Sequence, residues 1–256
     1  MSPPPTSIDG TDITGATIDG QEVQEITVDG QTVFTAGPLI IDDFEDADAD
    51  PAGIYGSNED IEDYYPNKNG DSYHTRTTTN VLQGSQAVEY VSGSAVTETN
   101  WSLPGDGLNT YPSDGDLVGF LIRSGSSTAY GLGLMVQDST TPGAYFFEHN
   151  VKNGLIRINK ANDLSLSNIT NDGTELSLTD VSLNTDWYWA EVQLPSSSDD
   201  TITFEIYNVD SNLNKGSFVA STSSNDSSFL GSSGVAFSDF TGNGGGETFA
   251  DWIRIL

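Results

Sequence analysis

Carboxylates are the most numerous residues in this chain that could do chemistry, since the sequence holds 38 Asp and Glu. Hydrolysis of a glycosidic bond needs two of them, about 5–5.5 Å apart for retention or roughly 6.5–9.5 Å for inversion. Asp60-Ile61-Glu62 places two acids on one side of an extended segment, and Glu205 with Asp210 is a similar pair. Solvated surface carboxylates are the simpler interpretation of both pairs in so acidic a chain. The sequence therefore shows no specific catalytic carboxylate pair.

Histidine, cysteine and serine chemistry has no motif here either. His74 and His149 are the two histidines, and neither has metal-ligand spacing such as His-x-His. The chain has no cysteine, which excludes thiolate catalysis, disulfides and Cys-ligated metals. It also lacks the Gly-x-Ser-x-Gly elbow of many serine hydrolases. The glycine-rich run 242–246 precedes a predicted strand, so it indicates a hairpin loop rather than a phosphate cradle. We therefore expect that the protein is not an enzyme.

Aromatic side chains are the remaining candidates for recognition chemistry, because exposed rings beside polar groups suit sugars. In Trp187-Tyr188-Trp189, successive strand side chains point to opposite faces, so the two tryptophans share one face. If Tyr188, Ala190 and Val192 are core residues, the tryptophans lie on an outer face where a ligand or another layer could cover them. The alternative is that both pack under a loop. The candidate carbohydrate-binding residues are Trp101, Tyr111, Tyr130, Tyr145, Trp187 and Trp189.

Net charge excludes several partners. Eight Lys and Arg leave a formal charge of −30, and a surface this acidic repels phosphate backbones and anionic lipid heads. No run of about 20 apolar residues is present, and the first residues lack the basic and apolar regions of a signal peptide. We therefore expect no nucleic-acid partner, no membrane insertion, and synthesis in the cytoplasm without a signal peptide.

Composition allows two interpretations of the chain as a whole. A hydrophobic content of 35% with high net charge can indicate disorder, but 10% aromatic residues and many Val, Ile and Thr favour a folded protein. In molar salt the Debye length is about 3 Å, which screens repulsion among carboxylates. We therefore predict a folded halophilic protein that loosens in dilute buffer.

Residues 1–36 contain an internal repeat, Ile8-Asp9-Gly10, Ile18-Asp19-Gly20 and Val28-Asp29-Gly30, at a spacing of ten. Asp-Gly between β-branched residues indicates a type I′ hairpin turn. So short a segment with one apolar stripe cannot offset its ordering entropy alone, so the stripe must pack on another chain or on the following domain. We favour an anchor or oligomerisation module; the alternative is a strand pair folded onto the main domain.

Residues 37–256 indicate strands nearly throughout, with no clear 3.6-residue periodicity. Many short strands separated by Gly, Asn, Asp and Ser predict a β-sandwich or jelly roll. The acidic stretch 42–63 is predicted to be a long surface loop. The predicted strands are Gln86–Val91, Leu117–Arg123, Tyr130–Gln137, Ala144–His149, Leu155–Lys160, Trp187–Leu194, Thr201–Tyr207, Val235–Phe237 and Phe249–Leu256.

Six of these segments, taken in order, carry a family resemblance. They are Asp42-Asp43-Phe44-Glu45-Asp46, Gly84-Ser85-Gln86-Ala87-Val88-Glu89-Tyr90, Gly115 to Arg123, Gly131 to Asp138, Trp187 to Val192 and Phe249 to Leu256. Residues 39–256 resemble a concanavalin A-like (laminin-G-type) jelly-roll domain over most of their length. The resemblance implies an all-β, concanavalin A-like β-sandwich preceded by a small β-hairpin repeat module. Retaining glucanases of this group carry Glu-x-Asp-x-x-Glu on one strand, and this chain lacks that string.

The same resemblance implies a structural Ca²⁺, because concanavalin-like domains often tie the first strand to the last through a cation. Asp43, Glu45 and Asp251 are the candidate metal ligands, since those strands would run side by side there. The calcium loop pattern Asp-x-[Asp/Asn]-x-[Asp/Asn]-Gly is absent, because the run from Asp46 to Asp50 lacks the glycine.

The N-terminal repeats resemble the attachment segments that open structural proteins of haloarchaeal tailed viruses. An anchor followed by a lectin-like sandwich implies a virion surface protein, such as a capsid turret, spike or tail fibre. Residues 1–36 would join other virion proteins or a homo-oligomer (trimer, pentamer or hexamer), and residues 37–256 would attach to a host surface glycan. The alternatives are a secreted or cell-surface carbohydrate-active enzyme or binding module, and a decoration protein without a ligand.

Overall fold

The computed structural model describes residues 7–8, 11–12, 17–18, 21–22, 25–28, 31–35, 39–45, 55, 59–68, 74–79, 81–90, 99–125, 129–140, 142–164, 173–210, 214–239 and 247–256. The chain divides into two compact units, residues 1–39 with residue 256, and residues 40–255. The Asp-Gly turns of the repeat, the glycine-rich run 242–246 and the acidic residues 46–50 lie outside the described residues.

The first unit contains three short antiparallel hairpins. β1 (Ser7–Ile8) pairs with β2 (Thr11–Asp12), β3 (Thr17–Ile18) with β4 (Gln21–Glu22), and β5 (Glu25–Val28) with β6 (Gln31–Thr35). Each pair flanks one of the three Asp-Gly dipeptides, as the type I′ turn signal requires. The predicted module of β-hairpin repeats is therefore confirmed.

The larger sheet of the second unit has eight strands. Their bounds are β7 (Leu39–Asp42), β9 (His74–Thr77), β10 (Ala87–Tyr90), β12 (Leu117–Ile122), β17 (Tyr188–Gln193), β18 (Thr201–Val209), β19 (Lys215–Asn225) and β21 (Glu247–Ile255). Seven of them follow the order β19-β18-β17-β12-β21-β10-β9, and β7 also pairs with β21. The first strand of the sandwich therefore lies beside the last.

The smaller sheet has seven strands. Their bounds are β8 (Asn67–Lys68), β11 (Thr99–Ser102), β13 (Ala129–Val136), β14 (Ala144–Asn150), β15 (Leu155–Ala161), β16 (Gly173–Asp180) and β20 (Gly234–Asp239). Their order is β16-β15-β14-β13-β20-β11-β8, with antiparallel neighbours. At one edge the two sheets meet, where Ser177 Oγ lies 2.6 Å from Thr222 Oγ1.

The core lies between the sheets. Phe147 of the smaller sheet meets Phe204 of the larger edge to face at 5.7 Å, and Phe204 stacks on Phe120 at 6.3 Å. All three rings are fully buried, and a buried side chain of this size contributes about 1.5–3 kcal/mol. Every second residue along such a strand points into this core, and this is the period-2 pattern that the sequence shows. The expected all-β sandwich of jelly-roll type is confirmed.

The predicted surface loop over 42–63 is partly wrong. Asp42 is fully buried, and Ile61 is fully buried within a one-turn helix, α1 (Ile61–Tyr64). Asp60 caps this helix, and the Asp63 carboxylate accepts from the Asp60 backbone N–H, which completes a capping box. So short a helix has no periodicity for a sequence pattern to reveal. Within the described ranges no helix is long and apolar enough to cross a membrane.

Candidate functional site

A row of large apolar side chains crosses the outer face of the larger sheet. Direct cross-strand pairs join Leu121 to Trp189, Trp189 to Tyr207, and Tyr207 to Phe218. Residues directly opposite each other on neighbouring strands share a face, so these four side chains lie side by side. Trp252 of β21 extends the row, because its ring meets that of Trp189 edge to face at 4.8 Å. We call these five residues the aromatic row.

Strand alternation explains why the row faces outward. Tyr188, Ala190 and Val192 of β17 are buried in the core, so Trp189 projects from the opposite face. The condition set by the sequence is met for Trp189, and carbohydrate binding by this residue stays a prediction. Trp187 precedes the strand and is half-buried.

The row is closed at the β21 and β12 end and open at β19. Trp252 and Leu121 are 2% and 0% exposed, Trp189 and Tyr207 are half-buried, and Phe218 is 56% exposed. Phe218 is the most exposed large hydrophobic side chain among the described residues, and its ring meets Tyr207 edge to face at 5.6 Å. An apolar ring held open to solvent at the end of a packed aromatic row is a surface on which another planar or ring-shaped group can stack.

Polar groups flank the row. Glu191 and Glu205 are direct cross-strand neighbours, and Glu191 Oε1 accepts from Trp189 Nε1 at 3.0 Å and from Lys215 Nζ at 2.7 Å. Tyr207 OH donates to Glu205 at 2.6 Å, and this bond raises the Tyr207 pKa to about 12. Lys215 Nζ also lies 4.5 Å from the centre of the Tyr207 ring. Ring surfaces and hydrogen-bonding groups therefore alternate over this face.

Three predicted sugar-binding residues do not present a ring at the surface. Tyr130 and Tyr145 are fully buried between the sheets, and Tyr145 OH donates to Asp226. Trp101 is 8% exposed and belongs to a second apolar cluster with Phe146, on the other face of the smaller sheet. Tyr111 is half-buried, and its OH donates to the Leu103 carbonyl oxygen at 2.6 Å. Sequence alternation predicts which residues share a face, but the smaller sheet is covered on both faces here.

The three predicted metal ligands do converge. Asp43, Glu45 and Asp251 line one pocket of about 250 Å³ together with Gln83, Gly84, Trp252 and Arg254. The pairing of β7 with β21 brings them together, as the sequence analysis requires. Trp252 belongs both to this pocket and to the aromatic row.

The oxygens of these carboxylates hold a loop in place. Glu45 Oε1 accepts from the backbone N–H groups of Ser85 (2.7 Å) and Gln86 (2.9 Å). Asp251 Oδ2 accepts from those of Leu82 (2.6 Å) and Gln83 (2.7 Å). Burial raises the Asp251 pKa to about 7 against these hydrogen bonds, which lower it.

This donor set does not fit a calcium ion, which needs six to eight oxygens at about 2.3–2.6 Å. Amide hydrogens already point at two of the carboxylates, and a cation would compete with them for the same oxygens. Among the residues described, no group of three or more His, Asp or Glu side chains is placed to hold a metal ion. Calcium stays a prediction.

The two histidines are packed inside the fold. His74 and His149 are buried, and burial lowers their pKa values to about 4 and about 3. His74 Nδ1 lies 3.0 Å from Asn100 Oδ1, and His149 Nδ1 lies 3.1 Å from Ser124 Oγ. A neutral imidazole buried among aromatic rings cannot exchange protons with a substrate at the surface.

Comparison with known proteins yields structural neighbours only. No family model and no curated protein matches the chain. A carbohydrate-binding module (CBM66) from Bacillus subtilis is 12% identical with a TM-score of 0.42, over 73% of this chain and 98% of that one. A carbohydrate esterase from the Shiga toxin-encoding bacteriophage phi24B is 10% identical with a TM-score of 0.42, over 74% and 88%. A lichenase derived from a mouse hindgut metagenome is 9% identical with a TM-score of 0.39, over 78% and 89%. At these scores, what those proteins bind or hydrolyse is not transferred to this chain.

Proposed function

We propose that this protein binds a neutral glycan on the outer face of its larger sheet, and that it does so without catalysis. The observation that carries the proposal is the aromatic row, which ends in the exposed ring of Phe218 and has Glu191, Glu205 and Lys215 in contact with its Trp189 and Tyr207. The apolar C–H face of a sugar stacks on an aromatic ring, while its hydroxyls need donors and acceptors beside that ring. This face supplies both.

Charge favours a neutral glycan over an acidic one. The chain carries a formal charge of −30, and two carboxylates of the flanking groups, Glu191 and Glu205, are cross-strand neighbours. A uronate or sulfate approaching this face would be repelled, even where salt shortens the range of the repulsion.

Immobilised polysaccharides test the proposal directly. We expect the full chain to be retained by at least one of mannan, glucan and galactan in about 3 M KCl, and not by alginate. Phe218→Ala should weaken retention about tenfold, because ring stacking and apolar burial together contribute more than about 1.4 kcal/mol. Leu178→Ala, at a residue 41% exposed on the smaller sheet, is the matched control and should bind as the parent does.

Two results would contradict the proposal. One is that no neutral polysaccharide retains the parent protein, and the other is that Phe218→Ala is retained equally well.

The proposed absence of catalysis is tested with the same protein and the same polysaccharides. Prolonged incubation with the retained polysaccharide should release no new reducing ends, whereas their steady appearance would establish the alternative of a carbohydrate-active enzyme.

We further propose that this site is displayed on the virion surface of a halophilic virus, by a homo-oligomer assembled through residues 1–36. The proposal rests on the family resemblance of the repeats and on the separate unit that contains the hairpins β1 to β6. Light scattering on the full chain in about 3 M KCl should give a trimer, pentamer or hexamer. A monomer in that solvent would count against self-assembly.

A further inference from the structure

Arg254 has an unusual position for one of only eight cations in the chain. Its guanidinium carbon lies 4.6 Å from the centre of the Trp252 ring, in the wall of the pocket between β7 and β21. Among the described residues no hydrogen-bond acceptor meets its buried Nε, and the charges of Asp43 and Asp251 act on the guanidinium. By contrast, Arg157, Lys160 and Lys215 each form an ion pair with a carboxylate at 2.6–2.7 Å.

Two carboxylates of this pocket are engaged by a loop rather than by Arg254. Glu45 is engaged by Ser85 and Gln86, and Asp251 by Leu82 and Gln83, so both carboxylates are directed to the loop. Gly84 completes this loop at a φ of 74°, where a Cβ atom would overlap Glu45 Oε1. The pocket is thus a built cavity in which a planar donor lies beside carboxylate acceptors.

The pocket wall contains both acidic residues and an arginine, and these charges decide which class of ligand can bind. With three carboxylates against one guanidinium the wall disfavours an anionic group, and a cationic group would have to lie on the carboxylate side, away from Arg254. A hydroxyl group both donates and accepts, so vicinal hydroxyls can accept from a guanidinium and donate to a neighbouring carboxylate. Drug-sized ligands occupy pockets of roughly 300–1,000 Å³. A pocket of about 250 Å³ suits a single sugar ring.

We propose that the pocket between β7 and β21 binds one terminal sugar unit of a neutral glycan, through vicinal hydroxyls held by Arg254 and the pocket carboxylates. This inference rests on the proposed glycan-binding function and deepens it. Trp252 connects the two places, because its ring lines the pocket and contacts Trp189 of the aromatic row. A glycan end seated in the pocket would have its following units directed along the row toward Phe218.

Titration with monosaccharides tests the pocket apart from the rest of the face. The full chain, labelled with ¹⁵N-tryptophan, gives four indole signals, and a Trp252→Phe variant identifies the one from Trp252. Methyl glycosides of mannose, galactose, glucose and N-acetylglucosamine are the probes, with methyl glucuronide as the anionic one. We expect at least one neutral glycoside to shift the Trp252 signal with a Kd of about 1–10 mM.

Variants at arginine assign the effect to the pocket. Arg254→Gln should weaken that titration at least tenfold, and Arg254→Lys should weaken it less, because lysine keeps the charge but loses the planar fork. Arg123→Gln removes the same charge outside the pocket, where Arg123 donates to the Thr185 carbonyl oxygen, and should leave the Kd unchanged. Unshifted signals from the other three indoles confirm that each variant is folded.

Three outcomes would overturn the pocket proposal: no neutral glycoside shifts the Trp252 signal, the glucuronide binds more tightly than the neutral sugars, or folded Arg254→Gln binds like the parent. The proposed function fails separately. If Phe218→Ala abolishes polysaccharide retention while monosaccharides leave Trp252 unmoved, the aromatic row binds glycan and the pocket does not. If neither experiment shows binding, both proposals fall.

Discussion

Glu148→Ala should destabilise the protein by about 3–5 kcal/mol, because it removes one partner of a buried ion pair. Glu148 is fully buried on β14, and its Oε2 accepts from Arg157 Nη2 at 2.6 Å and from Asn159 at 3.0 Å. Its Oε1 accepts from Asn150 at 2.8 Å. Without this carboxylate, two buried amides lose their acceptor, and the half-buried guanidinium keeps only the exposed Glu175 at 3.2 Å. A cost of this size approaches half the stability of a typical domain.

Urea denaturation in about 3 M KCl measures this change while repulsion among the surface carboxylates is screened. Glu175→Ala is the matched control, because Glu175 is the second carboxylate on Arg157, at 3.2 Å, and its side chain is 45% exposed. An exposed pair of this kind contributes about 0–1 kcal/mol. If the two variants lost similar stability, the buried hydrogen bonds of Glu148 would contribute no more to the free energy of unfolding than the exposed ion pair of Glu175 does.

Strands with one apolar face were predictable, and polar edge strands were not. All nine predicted strands are present within one or two residues of their expected ends, for example Ala144–Asn150 against 144–149. The 11-residue strand Lys215–Asn225 was missed. It forms the edge of the larger sheet, and nine of its eleven residues are exposed or half-exposed, among them four Ser and one Asn. Strand pairing imposes period-2 hydrophobicity only where one face is buried, so this sequence carries no signal.

Missing that strand hid the most exposed part of the candidate site. Alternation around Trp189 placed one tryptophan on the outer face correctly, because the pattern is local to β17. Phe218 and Tyr207 lie on β19 and β18, and only the cross-strand register shows that they adjoin Trp189. Register between strands depends on long-range packing and turn geometry. The burial of Trp101 and Tyr130 was equally hidden, since no local pattern reveals that both faces of the smaller sheet are covered.

The local sequence pattern also fails to reveal the burial of Asp42, which it places at the start of a solvated loop. The structure places it at the end of β7, fully buried, with Oδ2 accepting from Tyr55 OH at 2.9 Å and Tyr65 OH at 2.8 Å. Its Oδ1 accepts from the Phe44 N–H at 2.8 Å. Burial outweighs these three hydrogen bonds and raises the Asp42 pKa from 3.8 to about 7. A carboxylic acid that prefers to be neutral therefore lies within the core.

Stability should consequently fall as the pH rises from about 4 to about 7. Over that interval the folded protein binds a proton at Asp42 that the unfolded chain has released, so the contribution is complete below pH 4 and lost above pH 7. A difference of about three pKa units corresponds to about 4 kcal/mol. Asp251, whose pKa is also raised to about 7, changes stability in the same direction.

Asp42→Asn isolates the contribution of this one group. An amide cannot ionise, so the free energy of unfolding of the variant minus that of the parent should rise by about 4 kcal/mol between about pH 4 and pH 8. Urea denaturation at several pH values in about 3 M KCl measures the free energy of unfolding of both proteins at one salt concentration. Asp138→Asn removes an equivalent charge from an exposed side chain, and its curve should run parallel to that of the parent. If the Asp42→Asn curve is parallel as well, Asp42 is ionised in the folded protein throughout this range, and the tyrosine hydroxyls together with the Phe44 amide suffice to hold its charge within the core.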